Sequence, residues 1–209
     1  WWNHEGILIG KWDGVPAGRT IHENVAEPVN PVSLLEKYSN AKLRAKRIHY
    51  NLSREYFPLD VLPIADTDIG PGSLALYLGC EPKFAEDTIW FEPYYTDDSL
   101  LDTKLCFDND NYWWNVTKDT LTESKILSMD KYLVGCPDLI ENLDILALLR
   151  SPENLMMDMM DRPEWVKEKI RDINNIWFEV FDRIYEIIKL EDGSSCFGPF
   201  KIWGPGKTV

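Results

Sequence analysis

The residues best placed to do chemistry in this chain are carboxylates that follow directly on short apolar runs. Asp66-Thr67-Asp68-Ile69-Gly70-Pro71-Gly72 comes straight after Val61-Leu62-Pro63-Ile64-Ala65, and Asp138 follows Tyr132-Leu133-Val134-Gly135-Cys136-Pro137, with Asn142 and Asp144 just beyond. A carboxylate fixed by a strand but exposed by its loop can hold an N–H donor, balance a cation, or pass a proton as general acid or base. Asp66, Asp68 and Asp138 are therefore the candidate catalytic groups, and Asn142 a candidate substrate contact. The other reading of Asp66 and Asp68 is that they cap the helix expected over 74–78. Near the far end, Phe200 and Trp203 in Gly198-Pro199-Phe200-Lys201-Ile202-Trp203 either line the pocket or seal a hydrophobic surface.

The elements that must position these groups alternate in type. Ile7-Leu8-Ile9-Gly10, Val61-Leu62-Pro63-Ile64-Ala65 and Tyr132-Leu133-Val134 read as buried strands, short and continuously apolar, and a fourth strand is expected within 194–197. Between them the apolar period changes to three and four. Asn30-Pro31 reads as a helix start, with Leu35, Tyr38, Ala41, Ala45, Ile48 and Leu52 on one face and a solvated face carrying Lys37, Lys42, Arg44, Lys46, Arg47 and Arg54. A helix over 111–129 turns Trp114, Leu121 and Ile126 inward. Ser151-Pro152-Glu153 and Asp161-Arg162-Pro163-Glu164 open two more, the first with a methionine cluster (Met156, Met157, Met159, Met160) read as packing and the second with Val166, Ile170, Ile173, Trp177, Ile184 and Ile188 facing in. The stretch 81–110 is acidic, aromatic and proline-rich, with Ile89-Trp90-Phe91 a short strand of an insertion. The fold class is α/β, a parallel sheet with helical connections and one long loop insertion.

At 209 residues, 44% hydrophobic and with a formal charge of −13, the chain has material for a core but no basic patch for nucleic acid or an anionic membrane. It has no apolar run of membrane length. Cys80, Cys106, Cys136 and Cys196 form no Cys-x-x-Cys pair and have no His nearby, so they read as reduced cytosolic thiols rather than metal ligands. Cytoplasmic location is the expectation.

The ordered motifs resemble a known family. The apolar strand ending Gly135-Cys136-Pro137, the helix start Leu143-Asp144-Ile145-Leu146, then Arg150-Ser151-Pro152-Glu153-Asn154-Leu155, and Arg162-Pro163-Glu164 before a long helix are similar to the uroporphyrinogen decarboxylase superfamily, the (β/α)8-barrel group that includes corrinoid-dependent methyltransferases. A TIM barrel of that kind takes ~250 residues. The resemblance thus implies that 1–209 is a single domain, the incomplete N-terminal half of a barrel with about its first four βα units, inactive as a fragment. In the decarboxylases an Asp-Ile pair at the matching strand end holds the pyrrole N–H groups, and Asp68-Ile69 stands there. The Arg-rich motif expected after the first strand to hold substrate carboxylates is missing; Ala17-Gly18-Arg19 is its nearest echo.

For that reason the resemblance favours the methyltransferase branch, methyl-corrinoid to thiol, or an uncharacterised relative, over true uroporphyrinogen decarboxylase. It implies a small-molecule substrate, a corrinoid protein as possible partner, no metal ligand within these residues, and zinc only in a longer protein carrying His-x-Cys. A more distant alternative is a carbohydrate-active TIM barrel, with Asp66 or Asp68 and Asp138 as its two carboxylates and tryptophans stacking on sugars.

Overall fold

A computed structural model of the chain describes residues 6, 7, 9, 15, 16 and 24–208. The first expected strand and Ala17-Gly18-Arg19 fall largely or wholly outside them. The fold is mixed α/β, with small sheets framed by helices. Antiparallel pairing joins β1 (Val15–Pro16) with β2 (Glu55–Tyr56), and β4 (Glu81–Phe84) with β5 (Ile89–Glu92).

The site is framed by three parallel segments. β3 (Ile64–Ala65) pairs in parallel with β6 (Leu133–Val134), Ile64 opposite Leu133 and Ala65 opposite Val134. The chain continues from β6 into Cys136, which bridges in parallel to Phe197 of β7 (Ser195–Phe197). Cys136 N donates to Cys196 O (2.8 Å), and Gly198 N returns a bond to Cys136 O (2.9 Å). Side chains here are buried on both faces, Ile64, Ala65, Val134, Cys136 and Cys196 all at 2% exposure or less, which is why the sequence runs are continuously apolar.

Close approach at the strand ends depends on two glycines. A methyl group on Gly135 would come to 2.6 Å from Gly198 N and closer still to Gly198 Cα; one on Gly198 would meet Cys136 O at 3.1 Å. The chain then doubles back: β8 (Ile202–Gly204) pairs antiparallel with β7, so 198–203 is a hairpin and not an open loop.

Helices fill the crossovers. α1 (Leu34–Ser39) and α2 (Ala41–Ser53) precede β3; α3 (Ser73–Tyr77) and α4 (Tyr112–Ser128) connect it to β6; α5 (Asn142–Arg150), α6 (Pro152–Asp161) and α7 (Pro163–Ile188) connect β6 to β7. The first helix starts later than Asn30-Pro31 suggests: Ser33 caps it by accepting from Glu36 N (3.1 Å), and Asn40 caps α2 by accepting from Leu43 N (3.0 Å). Asn30 instead accepts from Arg47 (2.9 Å).

Two expectations about inward faces are corrected. Ile126 of α4 is exposed, and so are the α6 methionines, Met156 at 68% and Met160 at 79%, because α6 buries only Leu155 and Asp158. α7 follows its pattern, burying Val166, Ile173, Ile176, Val180, Phe181, Ile184 and Ile188.

The insertion is tied down by cations and an indole. Arg150, 6% exposed, bonds Asp158 (2.7 Å), Tyr95 O (3.1 Å) and Asp98 (2.8 Å). Arg162 also reaches Asp98, Trp165 Nε1 donates to Leu101 O (2.9 Å), and Lys169 donates to Thr103 O (3.0 Å). Donors from α5, the residue before α7 and α7 itself thus satisfy an irregular segment that lacks its own ladder.

Candidate functional site

At the carboxyl ends of the three parallel segments stand Asp66 and Asp68 after β3, Asp138 after β6, and Phe200 after β7. Neither Asp66 nor Asp68 caps α3 through a backbone N–H, since the N-cap is Gly72, without a side-chain bond. Asp66 accepts from Asp68 N (3.1 Å), shaping the loop, and Asp68 accepts from Ser73 Oγ (3.1 Å), which also donates to Gly70 O (2.8 Å). Behind Ser73 lies a buried hydroxyl pair, Tyr77 with Thr117 (2.6 Å).

Both acids line one cleft of ≈ 620 Å³, whose other walls include the cations Lys37, Arg44 and Arg47 and a third carboxylate, Glu86. Arg44 reaches from α2 to the carbonyls of Thr67 (3.0 Å) and Asp68 (2.7 Å), which fixes the loop that carries both carboxyls. Among the described residues nothing accepts from its buried Nε. The solvated reading of this helix face is corrected at Arg44. Its position was legible: it falls three residues after Ala41 and four before Ile48, on the same face as both. Arg47 is spent differently, bonding Glu27 (3.0 Å), Pro28 O (2.9 Å) and Asn30 to hold the incoming chain.

Burial lifts the Asp68 carboxyl to about 7, helped by the charges of Asp66 and Asp138 and opposed by Ser73 and Arg44. Burial likewise lowers the pKa of Arg44, opposed chiefly by Asp68. A carboxyl near 7 beside a guanidinium can exist in either protonation state at neutral pH, which suits it to general acid or base work.

Asp138 faces a second cleft, of ≈ 570 Å³, together with Asn142 and Phe200. Its Oδ1 accepts from Ile140 N (2.9 Å), and Trp177 Nε1 donates to Ile140 O (3.1 Å). Ile140 is thereby held at φ +47°, an uncommon conformation for a β-branched residue. Asn142 donates to Asn174 (2.9 Å), a partner on α7 that sequence reasoning missed. Burial raises the Asp138 pKa, with Glu141 and Asp66 adding to the effect. The three aspartates are near enough for their charges to interact, yet they line two clefts and not one.

Trp203 does not line either cleft: it sits opposite Cys196 in the hairpin and donates to Ser194 Oγ (3.1 Å).

Comparison with family models, characterised proteins and solved structures finds no match to this chain. The site must be read from its own residues. Among the described residues no three His, Cys, Asp or Glu side chains could share an ion. Burial also raises the thiols of Cys136 and Cys196, the latter to about 12, so neither is a ready thiolate. Among the same residues no helix is long and apolar enough to cross a membrane.

Proposed function

We propose that this chain carries the substrate site of a uroporphyrinogen decarboxylase-superfamily enzyme, half of whose (β/α)8 barrel is represented by the parallel segments at β3, β6 and β7. What supports the barrel reading is their order: sequence neighbours are spatial neighbours, and each is followed by helix or by a loop bearing a candidate group. The observation that carries the activity is Asp68, a half-buried carboxyl raised to about 7 at a strand's carboxyl end with Arg44 over its loop. Asp68 acts as the proton donor or acceptor, and the cationic wall of its cleft receives an acidic group of a small-molecule substrate.

Within that superfamily the first reading is a methyltransferase-type or uncharacterised relative, with a corrinoid protein as partner; a bound zinc would supply thiol activation there, from ligands outside this set. The second reading is true uroporphyrinogen decarboxylation, and Arg44 favours it by supplying a cation where the Arg-rich motif expected after the first strand is missing. A carboxylate would rest against the cationic wall, the C–CO2 bond would break with its electron pair left on carbon, and protonated Asp68 would deliver the proton to that carbon.

Incubating the full-length protein that carries this chain with uroporphyrinogen, and separately with methylcobalamin and a thiol, separates the branches. Loss of CO2 supports the second reading and methyl-thioether formation the first. Turnover that is unchanged in Asp68→Asn would overturn the role given to that residue.

A further inference from the structure

The first cleft mixes cations with carboxylates, whereas the second is lined by carboxylates alone among its charged groups. Its charged lining residues are Asp138 and Glu141, and no Lys, Arg or His is among its described walls. The remaining polar groups are the Asn142–Asn174 amide pair, whose mutual bond leaves one amide oxygen and the Asn174 N–H groups facing other partners. The rest of the lining is apolar.

Four aromatic rings complete it, in two pairs on different elements. Trp177 and Phe178 on α7 meet edge to face with centroids 5.2 Å apart, and Phe197 with Phe200 of the β7–β8 hairpin do the same at 5.3 Å. Trp177 is anchored, stacked on Phe181 at 5.3 Å and bonded to Ile140 O. Phe178 and Phe200 are more than half exposed, at 56% and 53%, while Trp177 and Phe197 are partly buried.

Carboxylates and aromatic faces around one cleft share a preferred guest. Ring faces are negative and attract an organic cation, the carboxylates add full charges, and the apolar walls cover a hydrocarbon body. We propose that this cleft binds a small organic cation of the alkylated ammonium class, with Asp138 and Glu141 balancing its charge and Trp177, Phe178 and Phe200 in contact with its alkyl groups. The inference does not depend on the activity assigned to Asp68, because it concerns a different cleft and binding alone.

The test is calorimetric titration of the 209-residue chain with choline and with its neutral carbon isostere, 3,3-dimethylbutan-1-ol. Saturable one-site binding of choline is expected, with the isostere weaker by about tenfold or more because it lacks the charge that the rings and carboxylates attract. Phe178→Ala, at an exposed position, and Glu141→Gln are each expected to weaken choline several-fold with the circular-dichroism spectrum unchanged. Asp138→Asn is expected to act in the same direction, and Glu141→Gln stands in for it should that variant fail to fold. Equal affinity for the isostere, binding indifferent to both Phe178→Ala and Glu141→Gln, or absence of saturable choline binding would overturn the proposal.

Discussion

Asp68 shows how one burial decision sets both chemistry and stability. Its folded pKa of about 7 lies above the ~3.9 of an unfolded aspartate, so between those values the folded chain holds more protons than the unfolded one. The contribution to stability is complete below about pH 4 and is lost as pH rises through 7. Asp68→Asn cannot ionise, so its melting temperature should gain steadily on the parent's between pH 4 and pH 8; parallel curves would show that Asp68 titrates normally. Arg44→Met removes a charge that holds the Asp68 pKa down, and its two bonds to the loop carbonyls. The carboxyl resonance of Asp68, followed by carbon NMR, should then titrate at higher pH than in the parent.

At the level of elements, the junction of α5 and α6 is held by charge in a dry place. Arg150 and Asp158 are 7% and 5% exposed at their side chains, and Arg150 also holds Asp98 and Tyr95 O. Arg150→Met leaves the buried Asp158 with only Arg162, at 3.7 Å, and frees the insertion, with an expected cost of about 3–5 kcal/mol in urea unfolding. The double variant Arg150→Met with Asp158→Leu should recover much of that, because the orphaned charge is then gone. Arg162→Ala, at an exposed pair, should cost less than about 1 kcal/mol. If all three variants cost the same, the pair is not acting as a buried unit. Sequence patterning located α4, α5, α6 and α7 to within a few residues because their caps and apolar periods are local signals. It missed the break at Asn40 and the exposure of the α6 methionines, since neither is decided within the helix: α6 had no neighbour to cover its outer face.

For the molecule as a whole, the decisive contact is that of Gly135 with Gly198, which brings the ends of β6 and β7 together and sets Asp138 opposite the hairpin with Phe200. Gly135→Ala sets a methyl group against backbone, which rotamer changes cannot relieve. It should lower the melting temperature by roughly 5–10 °C, whereas Gly198→Ala, meeting only a carbonyl at 3.1 Å, should cost less. Equal effects would mean that the segments adjust independently.

By itself the sequence determined the kinds of element and the placement of acids at strand ends, because continuous apolar runs must be buried on both faces and the polar residues after them must leave the core. It also determined the mixed α/β class, through the alternation of such runs with amphipathic helices. Only the tertiary structure decided that Asp66 and Asp68 share a cleft with Arg44 while Asp138 faces aromatic rings on α7 and the β7–β8 hairpin. Those neighbours come from helices and a hairpin far away in the chain, and no local pattern encodes which face of one element meets another. The same holds for the raised pKa of Asp68, which depends on how completely the fold removes one carboxyl from water.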